Sequence, residues 1–439
     1  MISGASAVFY GWWDWRFLFL LVGTGLVDYY AAGLMVMFPQ KKKWLLIISI
    51  LSNIGSLAVF KYSGFLTSNV NHVLELISGR QIPMLNLTLP IGISFYTFQS
   101  MSYTIDVYRG NLKPARSFLH FFSYVSLFPQ LVAGPIVRAQ DLLPQLVTWR
   151  RVSGQDRWEG LRYITFGYFK KVVIADNLAP AINAAFGQAV PHPSATYWWI
   201  VVTMFAFQIY CDFSGYSDIA IGIARWIGYD FRENFRNPYI SGSLQEFWTR
   251  WHISLSTWFR DYVYIPLGGS RQGVAKSHRN MWITMVVSGL WHGASWNFAI
   301  WGGLHAMYLS IEKITKWPSR LLRMGSAGRM IATLAVVIQV WIGWVFFRAD
   351  SFEQAMKIIG IMFRFNSLNL TALPVFPNAR IVYGCLGVAI LREIYVFARN
   401  NGLRLWKPIV YAEALVLTLM LVASVFLRGP EISFIYFQF

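Results

Sequence analysis

Charge is what this sequence has least of. Only 13% of its 439 residues are Asp, Glu, Lys or Arg, about half the 25% typical of soluble domains. Acids are the scarcer sign: 20 Asp plus Glu stand against 38 Lys plus Arg, a formal net charge of +18 at pH 7. A nucleic-acid binder would carry such an excess on a charge-rich background, and a chain that is 56% hydrophobic and 17% aromatic excludes it. Low total charge with the basic residues gathered in loops is the composition of a polytopic membrane protein. Cysteine is nearly missing. Cys211 and Cys385 both lie inside apolar runs, which excludes a disulfide framework and any metal-ligand spacing. The N-terminal MISGASAVFYGWWDWRF has no charged n-region before a clean apolar stretch, so no cleavable signal is expected. G-x-S-x-G, P-loop, H-E-x-x-H and EF-hand patterns are all missing. None of the seven histidines has an aspartate five residues on, the arrangement used by one large class of lipid acyltransferases.

What is present is apolar sequence in span-sized blocks. Met330–Phe347 is charge-free between Arg329 and Arg348, and other spans are expected over Phe17–Phe38, Trp44–Phe60, Leu89–Tyr108, Phe169–Ala189, Tyr197–Ala224, Ile381–Phe397 and Pro408–Leu427. With the re-entrant pieces, about nine to eleven segments of roughly 20 residues cross or enter the membrane. Asp28, Asp106 and Glu413 fall inside spans, which predicts helices packed within a bundle rather than facing lipid. Lys41–Lys43 reads as cytoplasmic, the Lys61–Thr88 connection as external, and Arg109, Lys113 and Arg116 as a return to the cytoplasm. Phe118–Val137 has cytoplasmic-looking charge at both ends and Pro129, Gly134 and Pro135 within it, so FFSYVSLFPQLVAGPIV is expected to be re-entrant. Irregular backbone at that depth has to be buried in protein or line a wet cavity. Asn280–Ile311 has no charged residue. As one helix it would be about 48 Å long, against a hydrocarbon core of about 30 Å. Gly289, Gly293, Gly302 and Gly303 offer places to break it. No internal repeat is visible.

Chemistry must come from polar residues set in apolar sequence. YCDFSGYSDIAIGIARW (Tyr210–Trp226) holds Asp212 and Asp218, six apart and so about 240° around a helix. It reads as a helix end with hydrogen-bonded polar packing. LQEFWTRWHISLSTWFRDYVYIPLGGSR (Leu244–Arg271) reads as an interfacial amphipathic helix for most of its tryptophans and tyrosines. His252, among Trp251, Ile253 and Leu255, fits that reading poorly. In SGLWHGASWNFAIWGGLHAMY (Ser288–Tyr308), His292 sits between Trp291 and Gly293 with no fixed charge nearby in sequence. A lone buried histidine can be a hydrogen-bonded core residue, but inside a membrane segment it is a functional candidate. His305 is 13 residues on, about 220° around and 20 Å along a continuous helix, so it shares a site with His292 only if the helix breaks. A neutral buried imidazole suits taking a proton from an alcohol that attacks an activated acyl group, and that chemistry needs neither metal nor enzyme nucleophile.

Six stretches together carry a resemblance: LPIGISFYTFQSMSYTIDVYRG, FPQLVAGPIVRAQDLLPQL, CDFSGYSDIAIGIARWIGYDFRENFRNPY, FWTRWHISLSTWFRDYVYIPLGGSR, SGLWHGASWNFAIWGGLHA and WVFFRADSFEQA. The chain resembles the membrane-bound O-acyltransferases, in the bacterial branch of the alginate O-acetyltransferase membrane subunit. The resemblance implies an all-α polytopic membrane protein, a single multi-helix bundle over residues 1–439 with core motifs at 89–310 and a central funnel or tunnel. Branch members typically begin with a further apolar segment ahead of FYGWWDWRF, where this chain nearly starts.

In the family the histidine of the LWHG motif is catalytic, here His292. A second polar position, earlier in the chain, falls on His252, and the two would face each other across the tunnel. Trp251, Trp291, Asn297, His305, Arg250 and Asp261 are the further candidates for lining it. No metal and no bound cofactor are implied. The donor would be acetyl-CoA or an acyl-carrier thioester, drawn by basic cytoplasmic loops. The acceptor would be an exported polysaccharide such as alginate, reached through a periplasmic hydrolase-like partner of the SGNH type and the export machinery, at the bacterial inner membrane. Membrane lipids are the other partner class, and nucleic acid is not one. D-alanyl transfer to teichoic acid from a carrier protein and peptidoglycan O-acetylation are the competing reactions. A transporter is the reading from another class.

Overall fold

The computed structural model describes residues 2–85, 87–132, 134–148, 150–188, 190–364, 374–401 and 410–435. Among them every regular element is helical. Among the described residues four stretches are long and apolar enough to cross a membrane: Arg16–Met37, Pro39–Ser78, Gly325–Arg348 and Ala379–Asn400. The other apolar segments lie on helices that are shorter, more polar or interrupted. The chain divides into two compact units, Met1–Gly160 with Ala220–Arg232, and Leu161–Ile219 with Glu233–Phe439.

The first unit begins with α1 (Ile2–Asp14), α2 (Arg16–Met37), α3 (Lys42–Leu57), α4 (Ser63–Ser78) and α5 (Ile93–Tyr108). A π turn at Ala58–Tyr62 carries α3 into α4, so the expected external connection after Lys61 is helical as far as Ser78. The helix runs on until Gly79, which takes a left-handed φ of 66°. Asp28 explains how α2, α3 and α5 find one register. Its fully buried carboxylate accepts from Ser49 Oγ at 2.6 Å, from Asn53 Nδ2 at 2.8 Å and from Ser100 Oγ. Ser49 Oγ also lies 2.8 Å from Thr104 Oγ1. A carboxylate away from water needs such partners, and here they come from two neighbouring helices.

The predicted re-entrant stretch is broken as expected, one step earlier than its prolines suggest. Helix α6 (Phe118–Ser126) stops because Leu127 leaves helical dihedrals (ψ 113°), and Pro129 sits in the first turn of the four-residue α7 (Phe128–Leu131). Buried side chains serve the irregular backbone. The Tyr124 hydroxyl is 3.1 Å from the carbonyls of Gln99 and Val137, and Gln130 Nε2 donates to the Tyr124 carbonyl at 2.7 Å. Gly92, at φ 75°, is required because a Cβ there would collide with the Leu131 carbonyl. Two more helices, α8 (Ala139–Val147) and α9 (Gly154–Phe169), lead out of this unit.

The second unit contains α10 (Asp176–Phe186) and α11 (Ala195–Trp226), whose last turns count with the first unit. The expected span Phe169–Ala189 is part of a helical run from Gly154 that passes through a π turn at Lys170–Ala175; Ala189 lies outside the described residues. Tyr210–Trp226 is the C-terminal half of α11, which ends at Trp226, and its polar residues are hydrogen-bonded as expected. Its acids are structural in the way a helix interior demands. Asp212 is 2.8 Å from Lys171 Nζ and accepts from Ile435 N at 2.7 Å, while Asp218 pairs with Lys170 at 2.5 Å. Lying on different faces of α11, each acid goes to its own lysine.

The remaining helices are α12 (Leu244–Arg250), α13 (Ile253–Phe259), α14 (Val274–His292), α15 (Trp296–Thr315), α16 (Trp317–Leu322), α17 (Gly325–Arg348), α18 (Phe352–Met362), α19 (Ala379–Asn400) and α20 (Val410–Phe426). Glu413, on the expected Pro408–Leu427 span, pairs with Arg162 at 2.7 Å; Pro408 lies outside the described residues.

Asp28→Ala should lower thermal stability in detergent, because each orphaned buried group costs about 1–3 kcal/mol. Ser49→Ala should cost less. An unchanged melting temperature for Asp28→Ala would show that the three helices are registered by other contacts.

Candidate active site

Two local constructions build the site, both in the second unit. The first is a hairpin. Helices α14 and α15 touch backbone to backbone: a Cβ on Gly289 would overlap the Phe298 carbonyl, and one on Gly302 would overlap the Met285 carbonyl. Helix α14 ends at His292, and Ser295 leads into α15 from an extended conformation. Gly293 is also extended, at φ −158°, so its backbone would suit any residue. Glycine is needed there because the Phe298 ring occupies the place of its Cβ. The uncharged Asn280–Ile311 segment thus folds into two shorter arms.

The second construction is a hinge. Ser243 caps α12 by accepting from Glu246 N at 3.0 Å, and Glu246 accepts from Gly242 N at 2.9 Å, an arrangement like a capping box. The helix stops at Trp251, which is extended, and His252 takes a left-handed conformation (φ 43°, ψ 55°) before α13 starts. Residues 234–236 clamp the hinge: Ile253 N donates to the Asn234 carbonyl at 2.8 Å and Arg236 N to the Arg250 carbonyl at 2.9 Å. The expected single interfacial helix is therefore several short pieces. Trp251 and Trp258 are buried because the hinge turns them into the unit.

These constructions bring the predicted histidines into one aromatic cluster. His292 is 2% exposed and His252 and His305 are as deeply buried. The Trp291 ring centroid lies 5.0 Å from that of His292 and 6.1 Å from that of His252. Trp301 lies 5.1 Å from His292 and 4.8 Å from His305. The hairpin break thus gives His292 and His305 a common neighbour, which a continuous helix forbids. Phe347 closes on His292 at 5.5 Å, and Trp248 on His305 at 5.2 Å. Neither ring nitrogen of His305 has a hydrogen-bond partner among the described residues. His252 lies outside the helices long enough to span, and burial among neutral groups pushes its imidazole down to about 3. It is uncharged at physiological pH.

Beside the cluster opens a cleft of about 870 Å³, within the size range of small-molecule sites. Trp248 and Ser288 are on its wall, Ser288 one helical turn before His292. Arg260, Lys313 and Lys316 line it too. Among the described residues its one acid is Glu312, engaged by the backbone N–H groups of Leu244 (2.5 Å) and Gln245 (3.3 Å). The cleft therefore has positive character.

The other sequence candidates have partners of their own. Trp251 packs against Trp344 at 5.0 Å and Phe235 at 5.1 Å. Arg250 pairs with Glu246 at 2.8 Å, and Asp261 with Arg260 at 2.7 Å. Asn297 donates to the Ala349 carbonyl at 2.8 Å, tying the start of α15 to the end of α17. Among the described residues no three His, Cys, Asp or Glu side chains gather as a metal would require. The sequence reading missed Trp301, Trp248, Phe347 and Asn234. The tryptophans carry no pattern that distinguishes them from the other aromatics, and Asn234 lies far from His252 along the chain.

The family model for membrane-bound O-acyltransferases matches residues 109–352. The chain belongs to that family: it is a multi-pass membrane protein and an O-acyltransferase, which displaces the transporter reading. Within the family it falls in the bacterial alginate O-acetyltransferase branch. It is 38% identical to the "Probable alginate O-acetylase AlgI" of Pseudomonas putida over 99% of this chain and 93% of that protein. It is 36% identical to the peptidoglycan O-acetyltransferase of Helicobacter pylori over 84% of this chain and 74% of that protein. The teichoic acid D-alanyltransferase of Bacillus subtilis is 28% identical over 62% of this chain and 72% of that protein.

Gly293→Ala should leave the backbone conformation accessible but drive Cβ into the Phe298 ring. Overpacking of this kind costs about 1–3 kcal/mol and should displace the Phe298 ring from Phe347, 4.9 Å away, which in turn packs on His292. A melting temperature and an activity equal to wild type would show that the ring is not held as described.

Proposed function

We propose that the protein transfers an acetyl group from a cytoplasmic thioester, acetyl-CoA or an acyl carrier, for O-acetylation of an exported polysaccharide such as alginate at the bacterial inner membrane. The observation that carries the reading is His292: a buried histidine at the end of α14, one turn beyond the wall of a basic cleft. Lys313 and Lys316 favour an anionic donor there. His292 takes the proton of the acceptor hydroxyl while the oxygen attacks the thioester carbonyl carbon. The C–O bond forms, the C–S bond breaks, and the departing thiolate takes the proton back from the imidazolium. The carbonyl-rich C-terminus of α14 favours that imidazolium, because a helix C-terminus carries partial negative charge. His252 orients the hydroxyl or polarises the thioester carbonyl. A periplasmic hydrolase-like partner would complete the transfer to the glycan.

Acetylation of polysaccharide ranks ahead of D-alanyl transfer because the alginate O-acetylases match at higher identity over more of the chain. Peptidoglycan O-acetylation differs only in the acceptor.

His292→Ala should yield a folded, membrane-inserted protein that no longer acetylates surface glycan, measured by mass spectrometry of the polysaccharide. Normal acetylation in that strain would remove His292 from the chemistry. His252→Ala should cause a large but incomplete loss. Reversing both cleft lysines (Lys313→Glu with Lys316→Glu) should raise KM for acetyl-CoA about tenfold with little change in kcat, at up to about 1 kcal/mol per exposed charge contact. An unchanged KM would place the donor elsewhere.

A further inference from the structure

Asn234 is buried, and its side chain addresses the His252 hinge from outside helices α12 and α13. Its Oδ1 lies 3.1 Å from Ser254 N, 2.9 Å from Ser254 Oγ and 3.2 Å from His252 Nδ1. Its Nδ2 lies 3.2 Å from Ser217 Oγ. The amide orientation follows from one of these partners. A backbone N–H can only donate, so the atom facing Ser254 N must be the carbonyl oxygen. The same oxygen faces His252 Nδ1, and two lone pairs within hydrogen-bonding distance would repel. Ser254 Oγ, the other polar neighbour of Nδ1, is 3.5 Å from it and gives its hydrogen to the nearer Asn234 oxygen at 2.9 Å, so Nδ1 carries a hydrogen of its own.

From this geometry we infer that Asn234 is a positioning residue that holds His252 as the Nδ1–H tautomer, leaving Nε2 as its lone-pair nitrogen. The inference rests on the proposed role of His252 in acyl transfer and narrows it. A neutral imidazole without a hydrogen on Nε2 cannot donate to a thioester carbonyl from that atom. It can accept the hydrogen of a second, neighbouring hydroxyl of the acceptor, since the attacking hydroxyl's one hydrogen goes to His292. His252 therefore orients the acceptor through that neighbouring hydroxyl, and polarising the carbonyl falls to other groups. The left-handed backbone at His252 serves the same end, since it places Ser254 N, Ser254 Oγ and the imidazole around one oxygen.

The test is solid-state NMR of the full chain in lipid bilayers with 15N-labelled histidine, the His252 signals being those lost in His252→Gln. In wild type, Nδ1 should be pyrrole-type and Nε2 pyridine-type. Asn234→Asp keeps the acceptor and should keep the tautomer. Asn234→Ala should shift His252 toward the other tautomer, and Ser217→Ala should leave it unchanged. An Nε2–H tautomer in wild type, or a tautomer indifferent to Asn234→Ala, overturns the inference. Should Asn234→Ala fail to fold, wild type and Asn234→Asp still decide the matter. In acetyl transfer from acetyl-CoA, Asn234→Ala should lower kcat about tenfold to a hundredfold with KM for acetyl-CoA unchanged, and Asn234→Asp should recover most of it. A KM effect alone, or no rescue by Asp in a folded protein, counts against positioning. If wild type transfers no acetyl group, the proposed function falls, and the NMR result still stands or falls by itself.

Discussion

The close backbone contact between α14 and α15 is the constraint on which the site depends. Gly289 and Gly302 let two helices approach until carbonyl oxygens fill the places of side chains. Helix pairs in membranes gain little from hydrophobic burial and use such small residues to pack. Because the two arms lie together, the chain has to turn sharply between His292 and Trp296. His292 is left on a helix terminus, walled by Trp291, Trp301 and Phe347. One geometrical requirement thus sets the depth of the histidine, its aromatic enclosure and the helix dipole at its ring.

Charge is arranged by function around a segment that has no Asp, Glu, Lys or Arg. Inside the second unit, Lys170 and Lys171 neutralise Asp218 and Asp212 and hold α11 in place. The cleft keeps Arg260, Lys313 and Lys316 against Glu312, which backbone N–H groups already engage. The net charge of +18 therefore marks loops and cleft, while the histidines contribute nothing to it. The hinge at His252 adds the second element. Its non-helical backbone is possible because residues 234–236 supply the missing hydrogen bonds, as buried backbone requires.

Much of this is legible in the sequence, and the reason differs by element. The all-helical membrane class follows from charge scarcity and apolar blocks. The hairpin break follows from a charge-free run too long to span and rich in glycine, and His292 stands out as a polar residue beside that break. The motifs bring the family. Other features depend on contacts that no local pattern encodes. In Tyr210–Trp226, the last turns of α11, the acids and serines are poor helix-interior residues, and what holds the acids there is Lys170 and Lys171, remote in sequence. The Leu244–Arg271 stretch looks like one interfacial helix because its aromatics are amphipathic, and the hinge that buries Trp251 is imposed by Asn234, a distant residue. Helix α4 is hidden because its polar residues resemble a loop.

The account stands or falls on whether cleft and histidine cluster form one active site. The direct measurement is an electron cryomicroscopy structure of the protein in lipid with a non-hydrolysable thioether analogue of acetyl-CoA. The predicted result places the phosphate-bearing end near Lys313 and Lys316, with the acyl carbon beside His292. An analogue bound away from both, with its acyl group remote from His292, would contradict it.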